Sequence, residues 1–73
     1  MHIVLTRHAQ QRMSERSIHI QNVKDCLQYY QVSRPGDGGK TIYDYTENGY
    51  KTSVAALQKG EVRIVVSVWR VTL

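Results

Sequence analysis

The chain has 73 residues, ten Lys/Arg against six Asp/Glu for a formal net charge of +4, and five tyrosines and one tryptophan with no phenylalanine. A chain this short is expected to form a single domain, 1–73, that buries only about 60% of the surface its unfolded form exposes. No apolar run is long enough to cross a membrane, and the single cysteine, Cys26, excludes an internal disulfide, so a soluble protein of the cytoplasm is expected.

In chain order, Ile3–Leu5 reads as a short leading strand or an apolar arm on the core, and is too short for the apolar part of a signal peptide. Thr6 is an expected N-cap for a first helix running to about Arg16. Within it His8, Arg12 and Arg16 recur every four positions and form one stripe, while Ala9 and Met13 form the adjacent apolar stripe. Ser17-Ile18-His19 makes a corner, with Ile18 plugging the junction between helices. A second helix should start near Ile20 and bury Val23, Cys26, Leu27 and Tyr30, which fall at i, i+3, i+4 and i+7. Cys26 on that stripe reads as a small buried hydrophobe rather than a nucleophile.

Ser33–Gly39 reads as a turn-rich, flexible loop. Beyond it the pattern changes to period 2. Lys40–Thr46, Tyr50–Leu57 and Glu61–Val71 read as strands, joined by turns at Glu47-Asn48-Gly49 and Gln58-Lys59-Gly60. Strict alternation would put Ile64, Val66 and Val68 on one face of the last strand and Val65, Ser67 and Trp69 on the other. The expected architecture is α+β, two N-terminal helices packed on a three- to four-stranded antiparallel sheet.

The stripe on the first helix pairs an imidazole that titrates near neutral pH with guanidiniums that stay charged, a combination suited to a phosphodiester. A basic, tyrosine-rich domain likewise leans toward RNA, because cations meet phosphates and flat rings stack on unpaired bases. On spacing alone, a solvated helix face with surface ion pairs from Arg12 and Arg16 to Glu15, Asp25 or Glu47 is the ordinary reading. His8 then serves as a structural histidine and Trp69 as a core or dimer residue. His2 and His19 have no partner at metal-ligand spacing, so no metal and no cofactor is expected.

Thr6, His8, Ala9, Arg12, Met13, Arg16 and Ile18 together make a T-x-H-A-x-x-R-M-x-x-R-x-I pattern. It resembles that of the domain of unknown function 4258, whose members follow it with an amphipathic helix and a meander. Val65–Trp69 resembles that family's closing strand. Two positions depart from the family: Ser17 stands where glycine usually gives a left-handed helix end, and His19 where a serine-like cap is usual. The family in turn looks like part of the small ribonuclease folds that include RelE-type and barnase-like toxins. The resemblance implies metal-independent RNA cleavage, often by the toxin of a toxin–antitoxin pair whose acidic antitoxin would cover the stripe.

Such cleavage uses the ribose 2′-hydroxyl as nucleophile and needs a base, an acid and cations for the phosphorane. His8 is the candidate acid/base, with Arg12 and Arg16 as the phosphate clamp. Tyr43, Tyr45 and Trp69 are candidates for stacking a base, and Lys40 and Arg70 for phosphate contact. The alternative function is a non-catalytic basic module that grips RNA or an acidic protein on the same face. A homodimer through the edge of an exposed last strand is the third expectation.

Overall fold

The computed structural model describes residues 2–73. A short strand β1 (His2–Leu5) leads into helix α1 (Arg7–Glu15) and helix α2 (Ile20–Tyr29). Four strands follow: β2 (Val32–Pro35), β3 (Thr41–Glu47), β4 (Tyr50–Lys59) and β5 (Val62–Thr72). They form one five-stranded sheet in the order β1-β5-β4-β3-β2. The neighbours among β2 to β5 are antiparallel, and β1 lies parallel to β5. The α+β layout is as expected, but the sheet is mixed and has five strands rather than three or four antiparallel ones.

Three features account for that difference. Ile3–Leu5 lies within a true strand, pairing in register with Arg63–Val65. Val32–Pro35, which falls largely in the expected loop, is an edge strand paired with Thr41–Asp44. All four of its residues are exposed, so no burial alternation marks it, and an edge is where a sheet tolerates proline. The last strand is therefore interior over Val62–Val65, where β1 covers it, and the sheet ends at β1 and β2.

The helices share one face of the sheet. Ala9 and Met13 of α1, Ile18 at the corner, and Val23, Cys26 and Leu27 of α2 close over Tyr43, Val54, Ala56, Val65 and Val68. Tyr30 does not complete the α2 stripe: the helix ends at Tyr29, and Tyr30 is its extended C-cap, 44% exposed. Its ring instead meets Tyr43 edge-on at 4.9 Å.

Val65 and Val68 lie in one core because β5 contains a bulge. Ala55 pairs with Ser67 and Ala56 with Val65, which leaves Val66 without an opposite residue. The strict alternation expected for this strand fails at that point, and every residue after it changes face relative to the count.

Thr6 locks α1 onto the bulge. Its amide donates to the Val65 carbonyl at 3.0 Å and its hydroxyl donates to the Val66 carbonyl at 3.2 Å. The same hydroxyl oxygen accepts from the Ala9 amide at 3.1 Å, the N-cap bond. At the other end, the Ile18 amide donates to Met13 C=O (2.9 Å) and the Ser17 amide to Ser14 C=O (3.4 Å), with the Met13 and Ile18 side chains both buried. This is a Schellman end, and Ser17 occupies its left-handed position at φ 55°. His19 caps α2 through its backbone, its amide donating to Asn22 Oδ1 at 2.9 Å.

Two stability measurements follow. Thr6→Ala should lower unfolding free energy by about 1–2 kcal/mol in denaturant titration, with Thr6→Ser recovering most of it, because serine keeps both hydroxyl bonds. Ser17→Gly should raise stability by about 0.5–1 kcal/mol, since glycine holds positive φ without the Cβ penalty, offset partly by its greater freedom when unfolded. A lower melting temperature for Ser17→Gly would refute the assignment of strain to that corner.

Candidate functional site

The charged stripe of α1 stands on the part of the helix that Ala9 and Met13 leave free. His8 and Arg16 are exposed and Arg12 is half-buried. Arg12 Nη1 lies 3.3 Å from Glu15 Oε1, with both side chains more than two-fifths exposed, so this i,i+3 pair contributes no more than about 1 kcal/mol. Among the described residues no ion pair engages Arg16 and no side-chain hydrogen bond holds the His8 ring. The stripe is thus a free imidazole, one free guanidinium and one loosely paired guanidinium.

The other sequence candidates fall in separate places. Lys40 Nζ donates to the Asp37 carbonyl at 2.9 Å and closes the 3-10 turn Asp37–Gly39 before β3. Tyr43 is in the core, with the Arg63 guanidinium 5.0 Å from its ring centroid. Register sets Tyr43 beside Val54 and Val68, on the helix face, and sets Trp69 beside Ser53 and Asp44, on the other face. Tyr43 and Trp69 therefore cannot stack one base together.

Tyr45 and Arg70 do come together. They flank Thr52 in register and, with Asn22 and Asp25 of α2 and Glu47 and Tyr50 of the β3–β4 hairpin, line a cavity of about 210 Å³. The Arg70 guanidinium lies 5.1 Å from the Tyr50 ring centroid. Its Nε is buried and has no hydrogen-bond partner among the described residues. The Tyr45 phenol is pushed up from its ordinary range, first by partial burial and then by the charges of Glu47 and Asp25. Sequence reading passed over Asp25, Glu47 and Tyr50 as site residues, because only the hairpin register and the α2 packing bring them to Arg70.

Asp44 is a second feature that sequence reading missed, although a carboxylate in mid-strand is itself a signal. It is buried on the face away from the helices, accepting from the Ser53 hydroxyl and from Arg34 Nε at 3.1 Å. Burial pushes its pKa up, but the bonds from Arg34 and Ser53 and the charges of Arg34 and Lys51 outweigh it and hold the carboxyl below its usual value. Cys26 lies beneath the helix face, its Sγ 3.2 Å from the Tyr43 carbonyl, and burial first and the charge of Asp44 second push its thiol up to about 12. Fully buried, it is a core residue.

Among the described residues, no three His, Cys, Asp or Glu side chains converge at metal-binding distances. Among the same residues no helix is long and apolar enough to cross a membrane.

Two helices on one face of a five-stranded mixed sheet define a small α+β domain. The model of the family described as domain of unknown function (DUF4258) matches residues 5–71, so the chain belongs to that family. No curated protein and no solved structure matches it.

Because the Asp44 carboxyl is held below its unfolded pKa, it contributes stability that is present above about pH 4 and lost as pH falls further. Unfolding free energy measured from pH 6 down to pH 2 should therefore fall less steeply in Arg34→Gln than in the parent. Identical slopes would show that Arg34 does not hold the carboxylate.

Proposed function

We propose that this domain is a metal-independent endoribonuclease of toxin type, with a RelE/barnase-like arrangement of helices and sheet. The observation that carries the reading is a division of labour within the α1 motif. Thr6 anchors the helix to the bulge, Ala9 and Met13 enter the core, and Ile18 closes the corner. His8, Arg12 and Arg16 do none of this, yet they complete the same motif and stand together toward solvent. Residues of a motif that the fold does not use are residues available for chemistry.

In this reading Arg12 and Arg16 bind the scissile phosphate and stabilise the charge that develops on it. His8 exchanges a proton with the 2′-hydroxyl or the leaving 5′-oxygen. The net positive charge attracts the RNA, and an acidic antitoxin would neutralise the same stripe in the cytoplasm. A second reading, a basic module that holds RNA without cutting it, is favoured by the absence of any hydrogen bond orienting the His8 ring among the described residues.

End-labelled RNA incubated with the protein and a chelator distinguishes the two. The parent should cut and leave 2′,3′-cyclic phosphate ends, and folded His8→Ala should cut about a hundredfold or more slowly. Undiminished cutting by His8→Ala removes His8 from the mechanism. RNA retention without cutting by either protein establishes the binding module, and Arg12→Ala or Arg16→Ala should then reduce the slope of log affinity against log salt by about one each.

A further inference from the structure

We propose that the sheet face turned away from the helices is the interface of a homodimer, in which two copies of this chain pack sheet against sheet with Trp69 near the two-fold axis. The inference stands apart from the ribonuclease reading and uses none of the α1 stripe.

Strand register fixes what this face presents. Val4, Ile64 and Leu57 form one row across β1, β5 and β4. Further along, Ala55 and Ser53 of β4 lie beside Trp69 and Val71 of β5. A sheet face left in water ordinarily carries polar residues at its outward positions. This one is mostly apolar, while both helices pack on the opposite face. Val4 and Val71 are 43% and 46% exposed, and Trp69, Leu57 and Ile64 are half-buried. An apolar surface of this extent marks an interaction site rather than a solvated one. Its charges sit at the margins: Lys51 and Lys59 lie near the two ends of β4, and Arg34 on the edge strand is occupied by Asp44.

A two-fold interface needs a surface that is its own complement, and here a ridge and a groove lie side by side. Ser53 and Ala55 are only 0% and 6% exposed although they lie on the uncovered face. The taller side chains opposite them, Trp69 on β5 and Ile42 on β3, therefore stand over them as walls. The groove along β4 and the Trp69 ridge are one strand apart, about 4.8 Å, so a two-fold axis between them seats each ridge in the partner's groove. From β1 to β3 and from Lys51 to Lys59 the face measures roughly 19 by 26 Å, or about 500 Å² per copy. Two copies bury about 1,000 Å², the least that a specific interface needs. The dimer is therefore weak, and its population depends on concentration. The sheet edges offer less: β1 and β2 have four residues each, and β2 ends in Pro35, which has no N–H to donate.

Sedimentation of the chain over a concentration series tests this. Monomer should give way to dimer with a midpoint on the order of 10–100 µM. Trp69 is the only tryptophan, so its emission reports on the face directly and should shift to the blue over the same range. Trp69→Ser and Val71→Lys should each raise the dissociation constant about tenfold or more, while Arg12→Ala leaves it unchanged. An amide spectrum of each variant confirms folding, and Val71→Lys, at an exposed position, carries the test should Trp69→Ser unfold. A monomer throughout the series, or association unchanged in Val71→Lys, overturns the proposal. So does a monomer that moves Trp69 into vesicles of phosphatidylglycerol, which would give the face to a lipid surface.

Discussion

The hydroxyl of Thr6 is the point on which the arrangement turns. One oxygen accepts the Ala9 amide, which starts α1, and its proton goes to the Val66 carbonyl at the bulge of β5. A bulge removes a residue from the ladder and leaves a carbonyl that needs a donor. The helix cap supplies it. Since the Thr6 amide also continues the β1–β5 pairing at Val65, strand, helix and bulge are fixed by one residue. The angular position of α1 follows, with Ala9 and Met13 inward and His8 and Arg16 outward. An alanine at this position would free both carbonyl and amide, so the loss would reach the pose of the charged stripe as well as helix stability.

The same bulge decides which candidates can cooperate. Before it, Arg63 and Val65 face the helices; after it, Val68 and Arg70 do, and Trp69 turns away. Without the extra residue the parity would be reversed beyond Val66, and Trp69 would share a face with Tyr43 and Tyr45. The aromatic residues that look interchangeable in sequence are thus divided between a packed face and an uncovered one. Tyr43 is committed to the core, Tyr45 to the cavity, and Trp69 to the neighbourhood of Asp44 and Ser53.

What sequence can reveal here tracks how local each signal is. The Thr6 cap, the α1 stripe, the α2 stripe short of Tyr30 and the Asn48-Gly49 turn depend on residues a few positions apart and could be read in advance; Asn48 and Gly49 indeed take positive φ. Ser17 departs from the glycine of the resembling family, which left the end of α1 open in sequence, and Ser17 takes the left-handed conformation without it. Edge strand β2 was hidden because four exposed residues, one a proline, carry no alternation. The bulge was hidden because a nearly continuous apolar run satisfies either parity, as Ile64, Val65, Val66 and Val68 do here. The α1 stripe was legible as spacing. The Arg70 cavity was not, since its residues meet only through strand register and the seat of α2 on β3 and β4.

The charges also show where the fold leaves free energy unspent. Of ten Lys and Arg residues, Arg12 and Arg34 form the ion pairs present among the described residues. Only the Arg34–Asp44 pair is partly sheltered, and it serves the sheet by keeping a buried carboxylate satisfied. Arg63 and Arg70 go further, each burying a nitrogen that has no hydrogen-bond partner among the described residues. A small domain has little stability to spare, so an unmet buried donor is a cost that packing against Tyr43 or Tyr50 offsets only in part. For His8 and Arg16 no such cost arises, because both stand in water.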